Sequence, residues 1–405
     1  MKKIIALILG LGIVCSLTSC KGSSTSSSSS TQPDSYTVNV YDLDDELLGS
    51  KTIAVSQYDS FYAALDAEFE LVAPDSGYGH YISSINGSVV DSNWSMMVYV
   101  NGQSATVGID DLVVNANDVI DIKNECWAAI DYGYGVTMDE YDVLVDKTLY
   151  HYIKTELKQK MESITTYTGY TYWEMLMINL LKTYGYDSSL LTFNYTSELA
   201  SSISSADLDS FAATDWGKYY AHAKQLDLVA EDFVTKYTSF VENQMDTTVS
   251  PWTTPFYTFP AMQNEITSEK FNTISNSELT TDMTWGSDGR AWQMLCQSYW
   301  NDSYASADLQ LFLNEWDNCA SYAHILSVFA AVNENVRDDS YNIGSKDIIE
   351  VMFDEYYDST TNLLKVYKTD TTINMSTNQV YAGLSAYKAW RDQYTKQAVN
   401  LLGAH

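Results

Sequence analysis

The chain has 405 residues, 45% of them apolar and 13% aromatic, which excludes a wholly disordered polymer and allows two or three domains with cores of their own. Its 22 Lys and Arg stand against 53 Asp and Glu, a formal charge of -31, which argues against nucleic acid or an anionic bilayer as an electrostatic partner. Past the first twenty residues no apolar run approaches the roughly 18 to 20 residues of a spanning helix, so any membrane link belongs at the N-terminus.

Lys2 and Lys3 precede an apolar run from Ile4 to Val14, and Leu17-Thr18-Ser19-Cys20 follows. This is the charged, apolar and small-residue order of an export signal. Leu-Thr-Ser-Cys resembles a bacterial lipobox, which implies that residues 1–20 are a lipoprotein signal and that Cys20, once exposed by cleavage, carries lipid chains. Residues 21–35, with the serine run Ser23 to Ser30, have the composition of a flexible tether. The expected location is extracytoplasmic, lipid-anchored to the cell membrane. Cys126, Cys296 and Cys319 are then the thiols left for disulfides, and one must stay unpaired. Pairing of Cys296 with Cys319 stays open, because spacing alone does not give the short Cα separation that a disulfide needs.

Residues 36–130 read as one small sheet domain. Tyr36, Val38 and Val40 alternate with Thr37, Asn39 and Tyr41, and Trp94, Met96, Val98 and Val100 repeat the pattern, the period of half-buried strands. Asn86-Gly87 and Asn101-Gly102 supply the positive-φ positions of tight hairpin turns. Asp59 is expected to cap a helix from Phe61 to Leu71, and the order strand, strand, helix, strands suggests a β-grasp-like sheet.

Residues 140–405 change to helical spacing, with Trp173, Leu176, Met177, Leu180, Leu181 and Tyr184 on one helix face. Similar stretches run from Trp216 to Glu242, Ala291 to Trp300, Ala307 to Asn333, Asp347 to Tyr367 and Asn378 to Leu402. Ten to twelve helices are expected, too many for a simple bundle. The fold class is therefore α+β and multidomain, a sheet domain followed by an all-α domain.

Two blocks together carry a resemblance. Asn93-Trp94-Ser95-Met96-Met97-Val98-Tyr99-Val100-Asn101-Gly102, followed by Asn117-Asp118 ahead of a last strand, resembles the β-domain of the transcobalamin and intrinsic factor family. Asp288-Gly289-Arg290-Ala291-Trp292-Gln293-Met294-Leu295 and Asn374-Met375-Ser376-Thr377-Asn378-Gln379 look like helix openings of that family's α-domain, as do Thr214-Asp215-Trp216 and Thr254-Pro255-Phe256. The resemblance implies a six-hairpin α/α toroid and a transcobalamin C-terminal-type β-domain that clamp a corrinoid between them. Here the β-domain comes first, the reverse of the animal carriers, and Trp292 replaces the usual Met. The implied partners are cobalamin or another corrinoid as ligand, the membrane through Cys20, and a membrane importer; no catalytic cofactor is implied.

Candidate ligand contacts under this resemblance are Trp94, Tyr99, Asn101 and Gly102 in the sheet domain and Asp215, Asp288, Gln293 and Gln379 in the helical one. Each also has a structural alternative. Trp94 suits a sheet core, Asp215 and Asp288 suit N-caps, and Gln293 and Gln379 offer neutral amides that match amides on a corrin rim. The 32 Tyr and 10 Trp supply flat area with polar tips, which fits a broad neutral plate and fits glycan or protein recognition equally well. Asp42-Leu43-Asp44-Asp45 reads as a solvated turn rather than the acid motif of a cyclase. His80, His151, His222, His324 and His405 lack metal-ligand spacing; no loop has a specific calcium pattern, and no nucleophile stands near an obvious base. A non-enzymatic binding protein is expected, with a surface adhesin or glycan-binding module as the alternative and an enzyme on the toroid as a third possibility.

Overall fold

The computed structural model describes residues 34–129, 138–186, 189–250, 252–276, 286–301, 309–312, 316, 318–370 and 376–401. The export signal, Cys20 and most of the serine-rich tether lie outside these residues, as do Asn374, Met375 and His405.

The N-terminal part is built on β1 (Ser35–Tyr41), β2 (Leu47–Ala54), α1 (Phe61–Glu68), β3 (Leu71–Val72), β4 (Ser84–Ile85), β5 (Ser88–Val89), β6 (Trp94–Val100), β7 (Gln103–Ser104) and β8 (Val119–Cys126). Five strands form one sheet in the order β2-β1-β8-β6-β7, with β1 and β8 parallel and the other pairs antiparallel. The alternation in sequence sets its faces: Tyr36, Val38, Val40, Ile120 and Ile122 point inward onto Phe61, Ala64 and Leu65 of α1. Fully burying one such side chain contributes about 1.5–3 kcal/mol. The helix is shorter than expected and is capped by Ser60 rather than Asp59, because the Ser60 hydroxyl accepts from Ala63 N at 3.1 Å.

The sheet has two distinct ends. Register pairs Trp94 with Cys126 at one end and Val100 with Ile120 at the other. β1 starts beside the second of these, since Thr37 pairs with Val119, and it runs toward the Trp94 end. Among the described residues the sheet and the helical half share a core at the Trp94 end, where Leu43, Trp94, Cys126, Ala128, Met138 and Tyr150 meet.

Twelve α-helices follow among the described residues: α2 (Glu140–Tyr152), α3 (Lys158–Met161), α4 (Tyr172–Thr183), α5 (Ser197–Ser204), α6 (Asp215–Gln225), α7 (Phe233–Asn243), α8 (Thr254–Gln263), α9 (Glu269–Asn276), α10 (Gly286–Cys296), α11 (Cys319–Ala331), α12 (Ile348–Tyr356) and α13 (Thr377–Arg391), with a small hairpin of β9 (Tyr357–Asp358) and β10 (Leu363–Leu364) after α12. The protein is thus a mixed α+β molecule with an N-terminal sheet region and a helical C-terminal part. No helix among the described residues is long and apolar enough to cross a membrane.

Packing runs from α4 to α6, α8, α10, α11 and α13, and from α13 back to α4. Two steps are backbone-close: a Cβ on Gly217 of α6 would fall 2.4 Å from the Phe256 carbonyl oxygen of α8, and one on Gly383 of α13 would fall 2.3 Å from that of Ala323 on α11. The interior position changes the expected pattern. α4 is buried from Tyr172 through Leu181 rather than along one stripe, because neighbours surround it. The single helix expected from Asn378 to Leu402 ends at Arg391, and residues 392–401 continue without helix or strand. Cys126, Cys296 and Cys319 are all buried free thiols.

Candidate functional site

Trp94 points into the seam between sheet and helices. It is buried, and its indole Nε1–H donates to Asp146 Oδ2 of α2 at 2.8 Å. Around it Lys388 of α13 meets Asp91, Asp146 and Asp392 at 2.5, 3.1 and 2.8 Å. Arg391 holds Asp146 and Asp392 at 2.6 and 2.7 Å, and Asn93 donates to Asp392 at 2.8 Å. Burial alone would raise the Asp392 carboxyl, but Arg391 and Lys388 hold it well below the usual carboxylate range. Burial would likewise pull the Lys388 ammonium down, and the carboxylates of Asp146, Asp392 and Asp91 push it up instead.

A second set of contacts comes from the 42–46 loop, which is not the solvated turn expected from its sequence. Asp42 is completely buried. It accepts from the Asp44 and Glu46 amides at 3.0 and 2.9 Å, from Tyr150 Oη at 3.2 Å and from Lys154 Nζ at 2.5 Å. Asp44 pairs with His151 at 2.7 Å and Asp45 with Lys147 at 3.1 Å. The turn is a plug seated on α2, and its partners lie about a hundred residues away.

The seam is therefore filled. The recess where it opens, beside Asp91, Tyr186, Lys388 and Asp392, measures about 180 Å³, below the ~300 Å³ at which small-molecule pockets begin. The residues expected to clamp a ligand are not brought together. Trp94 is spent on Asp146. Tyr99, whose hydroxyl donates to Glu125 at 2.6 Å, lies toward the other end of β6. Asn101 and Gly102 form the hairpin tip there with φ of 52° and 78°. The Asn101 side chain donates to Asp118 at 2.8 Å and accepts from Val119 N at 2.9 Å. The seven-residue β6 runs from Trp94 to the tip, about 20 Å of strand, so the tip lies at the sheet end remote from the joint core.

Of the helical candidates, Asp215, Asp288 and Gln379 sit in the first turns of α6, α10 and α13, and Gln293 lies in the C-terminal half of α10. Asp215 accepts from Ala212 N at 3.0 Å and from Lys218 Nζ at 3.3 Å; it is the first residue of α6 and not its N-cap, a position that Thr214 holds. Asp288 accepts from Ser321 Oγ at 3.0 Å and ties α10 to α11. Gln293 is buried within α10, and Gln379 is half-buried in the first turn of α13. None lines a recess described above or below.

A wider space lies at the other ends of the interior helices. A cavity of about 710 Å³ is lined by Thr183 and Tyr184 at the end of α4, Met262 near the end of α8, Leu295, Ser298, Tyr299 and Trp300 at and after the end of α10, Ala331 closing α11, and residues 397–401 of the C-terminal segment. Trp300 stacks on Phe271 with ring centres 4.4 Å apart and planes 1° from parallel. Its Nε1–H has no hydrogen-bond partner among the described residues. Tyr299 donates to the Met262 carbonyl at 3.0 Å, and Tyr184 Oη accepts from Asn400 N at 2.7 Å. Burial pushes both phenols upward, so they stay neutral. In a chain of charge -31, this cavity has no charged side chain among its described lining residues. Such a wall accepts an uncharged ligand with a flat apolar face and polar edges.

Sequence reasoning missed Tyr184, Tyr299, Trp300 and the 397–401 segment, which come from separate parts of the chain; the abundance of Tyr and Trp was the one signal that pointed to them. Below the cavity, Trp173, Trp292 and His324 fill the interior, with ring centres 5.3 to 6.2 Å apart. Among the described residues no group of three or more His, Cys, Asp or Glu is placed to hold a metal ion.

Residues 59–125 match the model of a family described as a domain of unknown function, DUF4430; the match spans α1 to β8 and leaves out the helical part. No curated protein matches the chain. Among solved structures, the chain is similar to a putative metal binding protein from Ruminococcus gnavus at 14% identity and a TM-score of 0.21, over 23% of this chain and 97% of that one.

Proposed function

We propose that this chain is a lipid-anchored, extracytoplasmic binding protein that takes a flat, uncharged small molecule into the helical cavity and passes it to a membrane importer. The observation that carries this reading is the absence of charged side chains from the described lining of the 710 Å³ recess in a strongly acidic chain. Its volume falls within the range of small-molecule pockets, ~300–1,000 Å³. No catalytic step is part of the reading.

The proposed organisation is a lipoprotein signal over 1–20 with Cys20 acylated, a tether over 21–35, a β-grasp-like domain over 36–130 and an α/α toroid over 140–405. The sequential packing of α4, α6, α8, α10, α11 and α13 supports the toroid, and the order of β1, β2, α1 and the later strands supports the β-grasp likeness. Likeness to the transcobalamin and intrinsic factor family makes a corrinoid the first ligand to test. Its seat would be the helical cavity, since the seam is closed by Trp94, Lys388 and Asp42. A whole corrinoid is bulkier than a drug-sized molecule, so the recess would take one edge of it.

Isothermal titration of the mature chain with cobinamide and cobalamin, together with native mass spectrometry of protein purified from its own cells, tests the proposal. A ligand retained in the spectrum and lost in Trp300→Ala supports it. Saturable corrinoid binding unaffected by Trp300→Ala moves the site elsewhere, and no retained or titrated ligand sinks it. A second reading, glycan or protein recognition at the surface, is favoured by Tyr170 and Trp252, which stand exposed ahead of α4 and α8; glycan arrays with Trp252→Ala as control test that reading.

A further inference from the structure

Beneath the large cavity lies a slot of about 30 Å³ lined by Trp173, Leu176, Met177 and Leu180 of α4, Trp292 of α10 and Leu401, among others. Leu295 and Leu401 line both spaces. The slot is almost wholly apolar, and a space of this kind stays dry although it has room for a water or two. One feature does not belong in an apolar interior. Trp292 is 3% exposed, and its Nε1–H has no hydrogen-bond partner among the described residues. A buried donor left in this state costs free energy that an acceptor would recover. At the cavity side sits Leu401, on a segment tied to the helices by Val399 N to the Ala330 carbonyl at 2.8 Å and Asn400 N to Tyr184 Oη at 2.7 Å.

We propose that the slot is the deep subsite of the cavity: a short apolar arm bearing a neutral oxygen acceptor replaces the Leu401 side chain, and its oxygen accepts from Trp292 Nε1. This rests on the cavity reading above and narrows it to ligands with a flat head and a carbonyl- or ether-bearing arm. Leu401 is then a plug that keeps the slot closed in the empty protein, and a headgroup without an arm leaves it in place.

The probe is 6-propionyl-2-(dimethylamino)naphthalene, a neutral fluorophore with a flat head, a ketone and a short alkyl arm. Its partner probe is 6-propyl-2-(dimethylamino)naphthalene, the same body without the ketone. Both are titrated into the mature chain, expressed without its lipid, by emission shift and intensity. Trp292→Phe keeps a ring in place and is expected to weaken the ketone probe about fivefold or more, the worth of one neutral hydrogen bond, and to leave the propyl probe unchanged. Leu401→Ala is expected to tighten both. Leu401→Trp, at a buried side chain that lines both spaces, is expected to weaken both while 2-(dimethylamino)naphthalene, which has no arm, still binds. Equal effects of Trp292→Phe on the two armed probes overturn the hydrogen bond, and unchanged affinity in both Leu401 variants overturns the plug. If these fail while Trp300→Ala still weakens the armless probe, the deep subsite is wrong and the cavity stands. If no probe binds any variant, both are wrong.

Discussion

Lys388→Met removes one cation from the seam while keeping an unbranched stem of similar size. Its side chain is 4% exposed, and its Nζ contacts Asp91, Asp146 and Asp392 within 3.1 Å. Arg391 still covers Asp146 and Asp392, but Asp91 loses its ammonium partner and stays largely buried. Breaking a buried ion pair from one side costs about 3–5 kcal/mol, because the remaining charge keeps its desolvation penalty and loses its compensation. That loss is expected in urea unfolding at pH 7, followed by tryptophan emission. The pH dependence has a definite sign. The Asp392 carboxyl is held below its usual range in the folded chain, so its stabilisation is present above the unfolded value of about 3.9 and is lost as pH falls through the folded value. The folded Lys388 is shifted upward, so its share persists below about pH 10.4 and fades only above it. Removing Lys388 lets the carboxyls take up protons more readily, and the gap between wild type and variant should therefore narrow as pH falls below about 4. A penalty under about 1 kcal/mol at pH 7 would make the cluster equivalent to a solvated surface pair. A penalty that does not shrink in acid would trace the loss to packing rather than charge.

Asp42→Ala should destabilise by about 2–3 kcal/mol, the worth of hydrogen bonds to a buried carboxylate, as read by urea midpoint; a neutral outcome would return the 42–46 loop to a solvated turn. His222 accepts from the Thr171 hydroxyl at 2.7 Å and donates Nδ1–H to the Lys218 carbonyl at 2.6 Å, and burial pushes its pKa down to about 4. The unfolded imidazole protonates near 6.5, so about 3 kcal/mol of stability should be lost as pH falls from 6.5 to 4; His222→Gln should flatten that decline in urea midpoints taken across the range, and an unchanged slope would refute the assignment. Gly383→Ala should cost about 1–3 kcal/mol by thermal melt, since the new methyl meets the Ala323 carbonyl and forces α11 and α13 apart; a melt equal to wild type would mean the two helices are free to separate.

Local rules made the sheet domain legible. Period-two alternation placed Tyr36, Val38 and Val40 on the inner face, and Asn101-Gly102 announced its hairpin through the need for positive φ. The cap was harder to read, because Asp59 and Ser60 are both good N-caps and only geometry chooses Ser60. The helical half was legible as helices but not in its burial, since a helix enclosed on every side shows no polar stripe; Tyr172 to Leu181 therefore read as amphipathic when they are interior. The seam was illegible for another reason. Asp42 and Lys154, Trp94 and Asp146, and Asp91 and Lys388 are separated by 52 to about 300 residues, and no local pattern encodes such partners. Trp94 could be assigned to a core from its strand alternation, but which core depended on chain segments that the pattern does not include. The cavity has the same character, with Tyr184, Trp300 and Leu401 contributed by segments far apart in the chain.

The placement of β1 has a mechanical consequence. β1 begins at Ser35, at the sheet end remote from the joint core, while β8 ends at Cys126 beside it, and the two strands run parallel side by side from Thr37 and Val119 to Val40 and Ile122. A pull on the start of β1 against drag on the helical body is therefore applied along the strands in opposite senses. It loads the whole β1–β8 ladder in shear, so its hydrogen bonds resist together instead of opening one at a time as in a peeled hairpin. β1 is also flanked on its other side by β2, which makes this strand the part of the sheet best built to bear tension along its length.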